Sequence, residues 1–266
     1  LWDLDIWPET LEAMNVINSK YVLNQILKVV EFIYSFYDKI LVSSNGIKDL
    51  IKNRYNGKVD FLPNWAESNI ESNTSIEEIK INIPKDKFIV MYTGNIGKAQ
   101  NFDSLITTIQ ELKTEKIFWV FIGDGRYKDE FKLKLIEKDL MKSCHFENQI
   151  KVSQIHSVVK YADAMFLSLK KQSIFKVTIP AKLQSYMAMK KPVIAVLQGE
   201  SVEIIKSSGC GIIEEDGNYI ELSKKIKTLS NLSSHNLIKM GERGRLYYNK
   251  FFLRSDRKKQ ILNLFT

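Results

Sequence analysis

Four lysines surround the predicted start of one helix, and their charge is the most chemically informative feature of the sequence. Lys170, Lys171 and Lys176 follow an apolar, strand-like segment. Lys182 lies in the first turn of the next helix, which Pro180 is expected to begin. Open α/β sheets bind anions between the carboxyl end of a strand and the amino end of a helix, because free N–H groups and the helix dipole favour negative charge there. The segment therefore predicts a site for a diphosphate group.

Helical spacing divides this helix into two faces. Thr178, Lys182 and Ser185 fall on one side near its start, and the apolar residues fall on the side expected to pack on a sheet. Thr178 can cap the helix, and Lys182 can point toward a bound anion. The alternative for Lys182 is an ordinary surface lysine.

Two glycine-bearing turns follow predicted strands and offer further phosphate contacts. Glycines let the backbone approach an anion, and free N–H groups at a helix start complement its charge. The first turn contains four candidates: Gly94, Asn95, Gly97 and Lys98. The second turn offers Gly123 and Asp124. Neither turn has the GxGxxG or P-loop spacing, so a purely structural turn is the alternative for both.

The apolar pattern changes repeatedly between strand and helix periods from residue 86 to residue 235. Strands are predicted at 88–92, 117–122, 144–146, 164–169, 192–196 and 211–213. Helices are predicted at 102–112, 127–140, 153–161, 180–189, 201–207 and 219–229. Such alternation is typical of a doubly wound parallel sheet, so this region is predicted to be one complete Rossmann-like domain.

The flanking regions predict the end of a second domain of the same kind. Residues 1–66 contain a predicted helix at 19–37 and short strands at 39–43 and 58–62. The polar segment 67–85 is the predicted linker, and residues 236–266 are predicted to form a helical tail. A chain that opens at Leu1 is expected to be cut from a longer protein.

Composition favours a phosphate-bearing ligand and argues against several other classes. The chain has 266 residues, a net charge of +8 and 44% hydrophobic residues, as ordinary globular proteins have. No apolar run approaches the length of about 20 residues that a membrane-spanning helix needs. The two cysteines and three histidines show no metal-ligand spacing, so no metal site is expected.

Several segments, in this order and spacing, resemble the GT-B glycosyltransferases of family 4, group 1. They are 94–101, 121–125, 161–164, 178–183, 186–188 and 191–195. The opening segment 5–9 resembles the Asp-Leu-Trp-Pro-Glu motif near the cleft of that family's amino-terminal domain. The likeness is to bacterial enzymes of O-antigen or capsule synthesis, including the N-acetylfucosaminyltransferase type. It runs over almost the whole chain and implies a fragment that lacks most of the amino-terminal domain.

The resemblance implies a GT-B fold and assigns residues to a donor site. The donor diphosphate would lie against Gly94, Asn95, Gly97, Lys98, Thr178 and Lys182. The ribose and base would lie near Gly123, Asp124, Gln149, Ile150 and Ser185. Asp5 is the catalytic candidate, with a structural cap as the alternative.

The implied reaction moves a sugar, with retention, from a nucleotide-diphosphate sugar to a saccharide or lipid-linked saccharide acceptor in surface polysaccharide synthesis. A UDP-sugar is the expected donor, and neither a cofactor nor an obligatory metal is implied. The expected location is the cytoplasm, with peripheral contact at the inner face of the cytoplasmic membrane as an option. A chain without most of its acceptor domain is expected not to turn over alone.

Some positions depart from the family's pattern. Many relatives have Arg where Asn95 stands and Lys where Gln100 stands. Many carry two glutamates where this chain has Val177 and Ser185, and a serine holds ribose hydroxyls more weakly than a carboxylate. Leu4 occupies the place of a cleft histidine.

These departures keep other functions open. A relative that retains the fold but has lost turnover could serve as a binding or partner subunit. A nucleotide-sugar epimerase or hydrolase of the same fold would need a carboxylate and histidine set that the sequence does not show. A nucleic-acid binder has only fold and charge in its favour, and no nucleic-acid partner is expected. The helix at 19–37 could be ordinary core or an amphipathic membrane contact.

Overall fold

The computed structural model describes residues 1–72 and 78–264, and the strands in these residues form two parallel sheets. The smaller sheet has the order β1–β2–β3, with β1 (Trp2–Asp3), β2 (Lys39–Val42) and β3 (Lys58–Phe61). The larger sheet has the order β6–β5–β4–β7–β8–β9, with β4 (Phe88–Thr93), β5 (Ile117–Ile122), β6 (Cys144–Glu147), β7 (Ala164–Ser168), β8 (Val193–Val196) and β9 (Gly211–Glu214). The strand order reverses beside β4, as in Rossmann-like sheets, and the predicted fold class is confirmed.

Helices cover the larger sheet and connect it to the smaller one. In the amino-terminal part they are α1 (Glu9–Ala13), α2 (Lys20–Tyr34), α3 (Asn45–Lys52) and α4 (Ser68–Ser72). They continue with α5 (Phe102–Glu111), α6 (Lys128–Glu137), α7 (Ile155–Val159), α8 (Ser173–Val177), α9 (Ala181–Ala188) and α10 (Glu200–Ser208). The last are α11 (Tyr219–Ser230), α12 (Ser234–Phe251) and α13 (Arg254–Leu262). Each long predicted helix is present, whereas β1, α1, α4 and α8 were not predicted.

The larger sheet is buried on both faces. Successive side chains of a strand point to opposite faces, so Val120 and Ile122 of β5 join one apolar cluster while Trp119 and Phe121 join the other. Fully burying one such side chain stabilises the fold by about 1.5–3 kcal/mol. This double burial makes the sheet a rigid support for the loops at its carboxyl edge.

The predicted linker, 67–85, contributes buried side chains to the core on both sides of residues 73–77. Helix α4 lies against α9, and Ile70 and Ile81 are buried in a cluster of the larger sheet. Residues 73–77 of this predicted segment lie outside the described residues. The Ile70 and Ile81 side chains therefore belong to the core that supports the carboxyl edge.

The short helix α8 joins the two sheets. Its Ile174 is buried in the cluster of the smaller sheet, together with Ile40 and Ile47. The Ser44 hydroxyl donates a hydrogen bond to the carbonyl of Val177, at the end of α8. The predicted basic loop thus contains a helix whose apolar face packs on the other sheet.

Polar contacts complete this junction. The Glu200 carboxylate, at the start of α10, accepts hydrogen bonds from the backbone N–H of Asn45 at 3.0 Å and of Gly46 at 3.3 Å. These groups belong to the first turn of α3, where N–H groups have no partner within the helix. From α13, the Gln260 amide donates to the carbonyl of Phe61 at 2.7 Å, so the helical tail returns to the smaller sheet.

Helix α2 lies largely on the surface. Leu23 and Tyr34 are its buried residues, whereas the side chains of Tyr21, Phe32 and nearby Phe36 are 74%, 64% and 69% exposed. The interpretation of this segment as ordinary core therefore holds only for its inner edge. No helix in the described residues combines the length and the apolar character needed to cross a membrane.

Candidate functional site

A cleft of about 540 Å³ opens at the carboxyl edge of the larger sheet, beside α9. It lies beside β4, where the strand order reverses and open α/β sheets bind their ligands. Eight of the predicted site residues line it: Gly94, Asn95, Gly123, Asp124, Gln149, Ile150, Lys182 and Ser185. The structure therefore brings together residues from four separate parts of the chain.

Lys182 is held in the cleft by the packing of α9 on β4. The hydroxyl of Tyr186 accepts a hydrogen bond from the backbone N–H of Thr93 at 3.2 Å and fixes the helix against the strand end. Lys182 precedes Tyr186 by one turn, so its side chain crosses Gly94. Its Nζ lies 5.2 Å from the ring centre of Tyr92.

The Lys182 ammonium is poised for an anion. Burial lowers the pKa of Lys182, because removing the side chain from water disfavours its charged form. Among the described residues, Lys182 has neither an ion pair nor a hydrogen bond. A half-buried cation without a counter-charge attracts a negatively charged ligand more strongly than an exposed lysine does.

Two glycines are required where the loops approach one another. Gly94 has φ +120°, and a Cβ there would lie 2.5 Å from Cε of Lys182. Gly123 has φ +146°, and a Cβ there would lie 2.0 Å from the carbonyl oxygen of Gly94. Any side chain at these positions would both strain the backbone and displace the lysine or the neighbouring loop.

Three N–H groups of the first turn are already hydrogen-bonded within the protein. The N–H of Gly94 donates to the Ile122 carbonyl at 2.8 Å, and the N–H of Ile96 donates to the Asp124 carbonyl at 2.7 Å. The N–H of Gly97 donates to Oε1 of Gln100 at 3.0 Å. These bonds tie the turn to its neighbours, so Lys182 supplies the charge that the turn does not.

Four predicted site residues are not among those that line the cleft. Gly97 and the exposed Lys98 begin a short 3₁₀ turn beyond it. Thr178 donates its hydroxyl to the carbonyl of Ile174 at 2.8 Å. It therefore closes α8, and the prediction that it caps α9 is wrong, because Pro180 occupies that position. Asp5 is exposed near the smaller sheet, between β1 and α1.

The predicted cluster of four lysines is divided in the structure. Lys182 lines the cleft, whereas the side chain of Lys171 lies beside Gly217, after β9. Lys170 and Lys176 are likewise outside the residues that line the cleft. Lys176 lies in α8, which packs on the smaller sheet, whereas Lys170 and Lys171 precede that helix.

The other end of the cleft has an apolar wall. Its members are Ile70, Ile150, Val152, Ile155 and Met189. Ser185 of α9 faces this end, but its hydroxyl donates to the Ala181 carbonyl at 3.2 Å. One carboxylate oxygen of Asp124 accepts from the N–H of Gly125 at 2.8 Å. This end suits a flat, mainly apolar group with a few polar atoms.

Sequence reasoning did not assign several residues of this region to the site, and two of them show why. Ile70 lies in the predicted linker and comes to the cleft through α4. Lys128, at the start of α6, is only 5% exposed and lies directly behind the cleft. Its Nζ donates to the carbonyls of Gly123 at 2.8 Å and Glu147 at 3.1 Å, and to Oδ1 of Asn148 at 3.0 Å. A lysine in the first turn of a helix carries no sequence signal for such burial.

Comparisons with protein-family models and with curated proteins both find similarity to glycosyltransferases. A family model described as glycosyl transferases group 1 matches residues 73–246. A protein of Pseudomonas aeruginosa named as a glycosyltransferase, WbjE, is 27% identical over 241 residues, which cover 88% of this chain and 60% of WbjE. A protein of Escherichia coli K12 named as a colanic acid biosynthesis glycosyl transferase, WcaI, is 23% identical over 136 residues, which cover 49% of this chain and 33% of WcaI. The matches thus span less than two thirds of either relative.

A solved structure shares the fold. HepE from Anabaena, in complex with UDP and glucose, superposes with a TM-score of 0.72 at 13% identity, covering 91% of this chain and 66% of HepE. At this identity the likeness concerns the fold alone. Together with the family match, it agrees with the GT-B prediction made from the sequence.

Proposed function

The chain belongs to the group 1 glycosyl transferases, and we propose that its cleft holds the nucleotide-diphosphate part of a sugar donor. The donor's sugar would pass to a saccharide acceptor. The observation that carries this proposal is the half-buried Lys182 ammonium, which lacks a counter-charge in the described residues and lies over Gly94 at the strand-order reversal.

The shape of the cleft supports an orientation for the donor. The diphosphate lies at the end formed by Lys182 and Gly94, because that end carries the unpaired cation. The nucleoside lies along the apolar wall toward Gln149 and Ile150. UDP is the proposed nucleotide, since a protein of the same fold, HepE, was solved with UDP and glucose. Asn95 and Asp124 border the passage between the two ends.

In the proposed reaction, this chain stabilises the nucleoside diphosphate as it leaves the sugar. Negative charge develops on the bridging oxygen as the sugar–phosphate bond breaks, and a fixed cation in a partly desolvated site stabilises that charge. Lys182 is preorganised for this role by the Tyr186 hydrogen bond to β4. Retention of configuration and independence of metal ions are part of the proposal and rest on the resemblance.

The proposed acceptor is a growing surface polysaccharide. The name of WcaI refers to colanic acid biosynthesis, and the resemblance is to O-antigen and capsule enzymes, including the N-acetylfucosaminyl type. A lipid-linked saccharide is the proposed acceptor class. Asp5 stays a proposed cleft residue of the acceptor side.

Calorimetric titration with UDP tests the donor site directly. Binding is the readout because the match spans 60% of WbjE, and the proposed activity concerns the whole protein. We expect Lys182→Met to weaken UDP binding by about 1–3 kcal/mol, since it removes a charged hydrogen bond to phosphate. Uridine, which has no phosphate, should bind both proteins equally. Lys171→Met is the matched control, because this exposed lysine lies beside Gly217 outside the cleft.

Two results would reject the assignment: no UDP binding by the unaltered chain, or equal UDP affinity before and after Lys182→Met. Lys98→Met tests how far the diphosphate site extends along the first turn. A loss of about 1–3 kcal/mol there would extend the diphosphate site beyond Gly97, and an unchanged affinity would confine it to Lys182.

A second candidate function is a relative that binds the donor without turnover. Its support is Ser185, which stands where many relatives carry a ribose-binding glutamate and whose hydroxyl is bonded to the Ala181 carbonyl. Product formation from a UDP-sugar by a full-length protein would separate the two candidates. An inactive protein that still binds UDP would favour the second.

A further inference from the structure

Lys128 is an unusual residue in the wall behind the cleft. It occupies the first turn of α6 and is 5% exposed, although lysine is rarely buried without a partner. No carboxylate among the described residues forms an ion pair with it. Its burial is therefore compensated by hydrogen bonds to neutral groups, namely two carbonyls and one side-chain amide oxygen.

These bonds use the whole donor capacity of the ammonium. A lysine ammonium has three N–H donors, and the acceptors on Gly123, Glu147 and Asn148 number three. The three distances, 2.8, 3.1 and 3.0 Å, are those of full hydrogen bonds. Lys128 thus has no donor left for a ligand, so any hydrogen-bonding effect on a ligand must pass through the groups that it holds.

The groups that Lys128 holds frame the nucleoside end of the cleft. Gly123 directly follows β5 and lines the cleft. Glu147 is the last residue of β6, and Asn148 precedes Gln149 and Ile150, which also line the cleft. A weaker backbone bond, from the N–H of Gly123 to the Glu147 carbonyl at 3.3 Å, joins the same two strand ends.

We propose that Lys128 is a positioning residue that sets nucleobase selectivity by fixing Gly123 and residues 147–150 in one arrangement. This inference rests on the proposed function. Selectivity between bases depends on fixed polar atoms and a fixed wall, because a loop that adapts accepts several bases at similar cost. The lysine ties two strand ends and one side chain from behind, where no ligand competes with it.

The test compares three ligands on the chain and its variants: UDP, GDP and inorganic pyrophosphate. The unaltered chain should prefer UDP over GDP. Lys128→Met keeps the length of the side chain but removes the ammonium, and we expect it to weaken UDP binding about tenfold and to lower the UDP-to-GDP preference. Pyrophosphate, which is placed at the Lys182 end, should lose less affinity than UDP on Lys128→Met, because it keeps the Lys182 contact and senses only the longer-range loss of charge. Lys138→Met, an exposed lysine just after α6, is the matched control.

A second variant covers the case in which Lys128→Met does not fold. Asn148 is exposed, and Asn148→Ala removes one of the three acceptors without burying a new group. It should lower the UDP-to-GDP preference in the same direction, with a loss of UDP affinity of about threefold.

The outcomes separate this inference from the proposed function. If the unaltered chain does not bind UDP, both fail. If it binds UDP but shows no preference over GDP, or if the variants keep both the affinity and the preference, only the positioning role fails. An equal loss for UDP, GDP and pyrophosphate would also overturn it, because that pattern indicates general damage to the cleft.

Discussion

The two sheets of this chain differ in how completely they are buried, and the candidate site lies on the better buried one. Apolar clusters cover both faces of the six-stranded sheet. The three-stranded sheet has one smaller cluster, which includes Ile174 from α8. In the described residues, 12 of the 20 large apolar side chains that are exposed lie within residues 1–37.

This difference indicates a division of roles. A catalytic or binding site needs side chains held within a fraction of an ångström, and such precision comes from packed elements and hydrogen bonds behind the site. Tyr186 and Lys128 provide these bonds at the carboxyl edge of the larger sheet. The smaller sheet and its helices form the other side of the contact with α8 and α10. Residues 1–37 of this region carry most of the exposed apolar side chains.

The largest expected effect is on the free energy of unfolding, and it is seen by substituting one aromatic residue in each region. Trp119 is 1% exposed and lies 5.8 Å from Phe166, centre to centre, in an edge contact. Trp119→Ala should lower the free energy of unfolding by about 3–5 kcal/mol, because it leaves a cavity between helix and sheet. Phe32 is 64% exposed, and Phe32→Ala should change that free energy by less than about 0.5 kcal/mol. Urea denaturation of both variants measures the difference, and similar losses would show that the two regions are equally packed.

An intermediate effect is expected where the two regions meet. Glu200→Ala removes the carboxylate that accepts from the N–H groups of Asn45 and Gly46, at the start of α3. We expect a loss of about 1–3 kcal/mol in the free energy of unfolding, because two helix N–H groups lose a charged acceptor.

Hydrogen exchange localises the effect of Glu200→Ala. The amides of Asn45 and Gly46 should exchange faster. The exchange rates of the β5 amides should change only by the amount that the loss of global stability explains. Glu203→Ala is the matched control, since Glu203 is exposed and lies in the same first turn of α10. Unchanged exchange at Asn45 would mean that the contact does not hold the junction.

The sequence predicted most of the larger sheet because its signals are local. Strand β5 is an unbroken apolar run between polar segments, and its prediction at 117–122 matches the structure. Helices α1, α4 and α8 have five residues each and were missed, since helices of that length depend on tertiary packing. Strand β1 has two residues and is recognisable only by its pairing with β2.

The site was predictable where a residue's role follows from its neighbours along the chain. Lys182 and Gly94 belong to recognisable strand–turn–helix patterns, and the structure brings them together. The side chain of Gln100 accepts a hydrogen bond from the Gly97 N–H, and Lys128 donates to Gly123, Glu147 and Asn148 from behind the cleft. The Gln100 contact is local, three residues along the chain, whereas the role of Lys128 depends on folded geometry that residue type and spacing could not reveal.

The smallest expected effect is on the pH dependence of stability, and it involves two carboxylates, one at each sheet. Burial favours a higher pKa for Glu214, but the hydrogen bond and charge of Lys225 at 2.7 Å outweigh it, so the pKa lies below its usual value. Burial raises the pKa of Asp3, and the hydrogen bond from Tyr34 offsets only part of that rise. The two groups therefore make stability depend on pH in opposite directions.

The signs follow from which state binds protons more readily. Glu214 contributes stability above its unfolded pKa, and this contribution is lost as pH falls through its lower folded pKa. Asp3 acts oppositely, because the unfolded chain ionises first and stability is lost as pH rises through its raised folded pKa. Glu214→Gln should therefore make the loss of stability on acidification shallower, and Asp3→Asn should make it steeper. Each change should be about 0.2–1 kcal/mol, measured by urea denaturation between neutral and acidic pH, with Glu203→Gln as control. If both variants changed the pH dependence of the free energy of unfolding in the same direction, the Asp3 carboxylate would be stabilised by its partners as Glu214 is. The contrast between the two sheets would then not hold for these carboxylates.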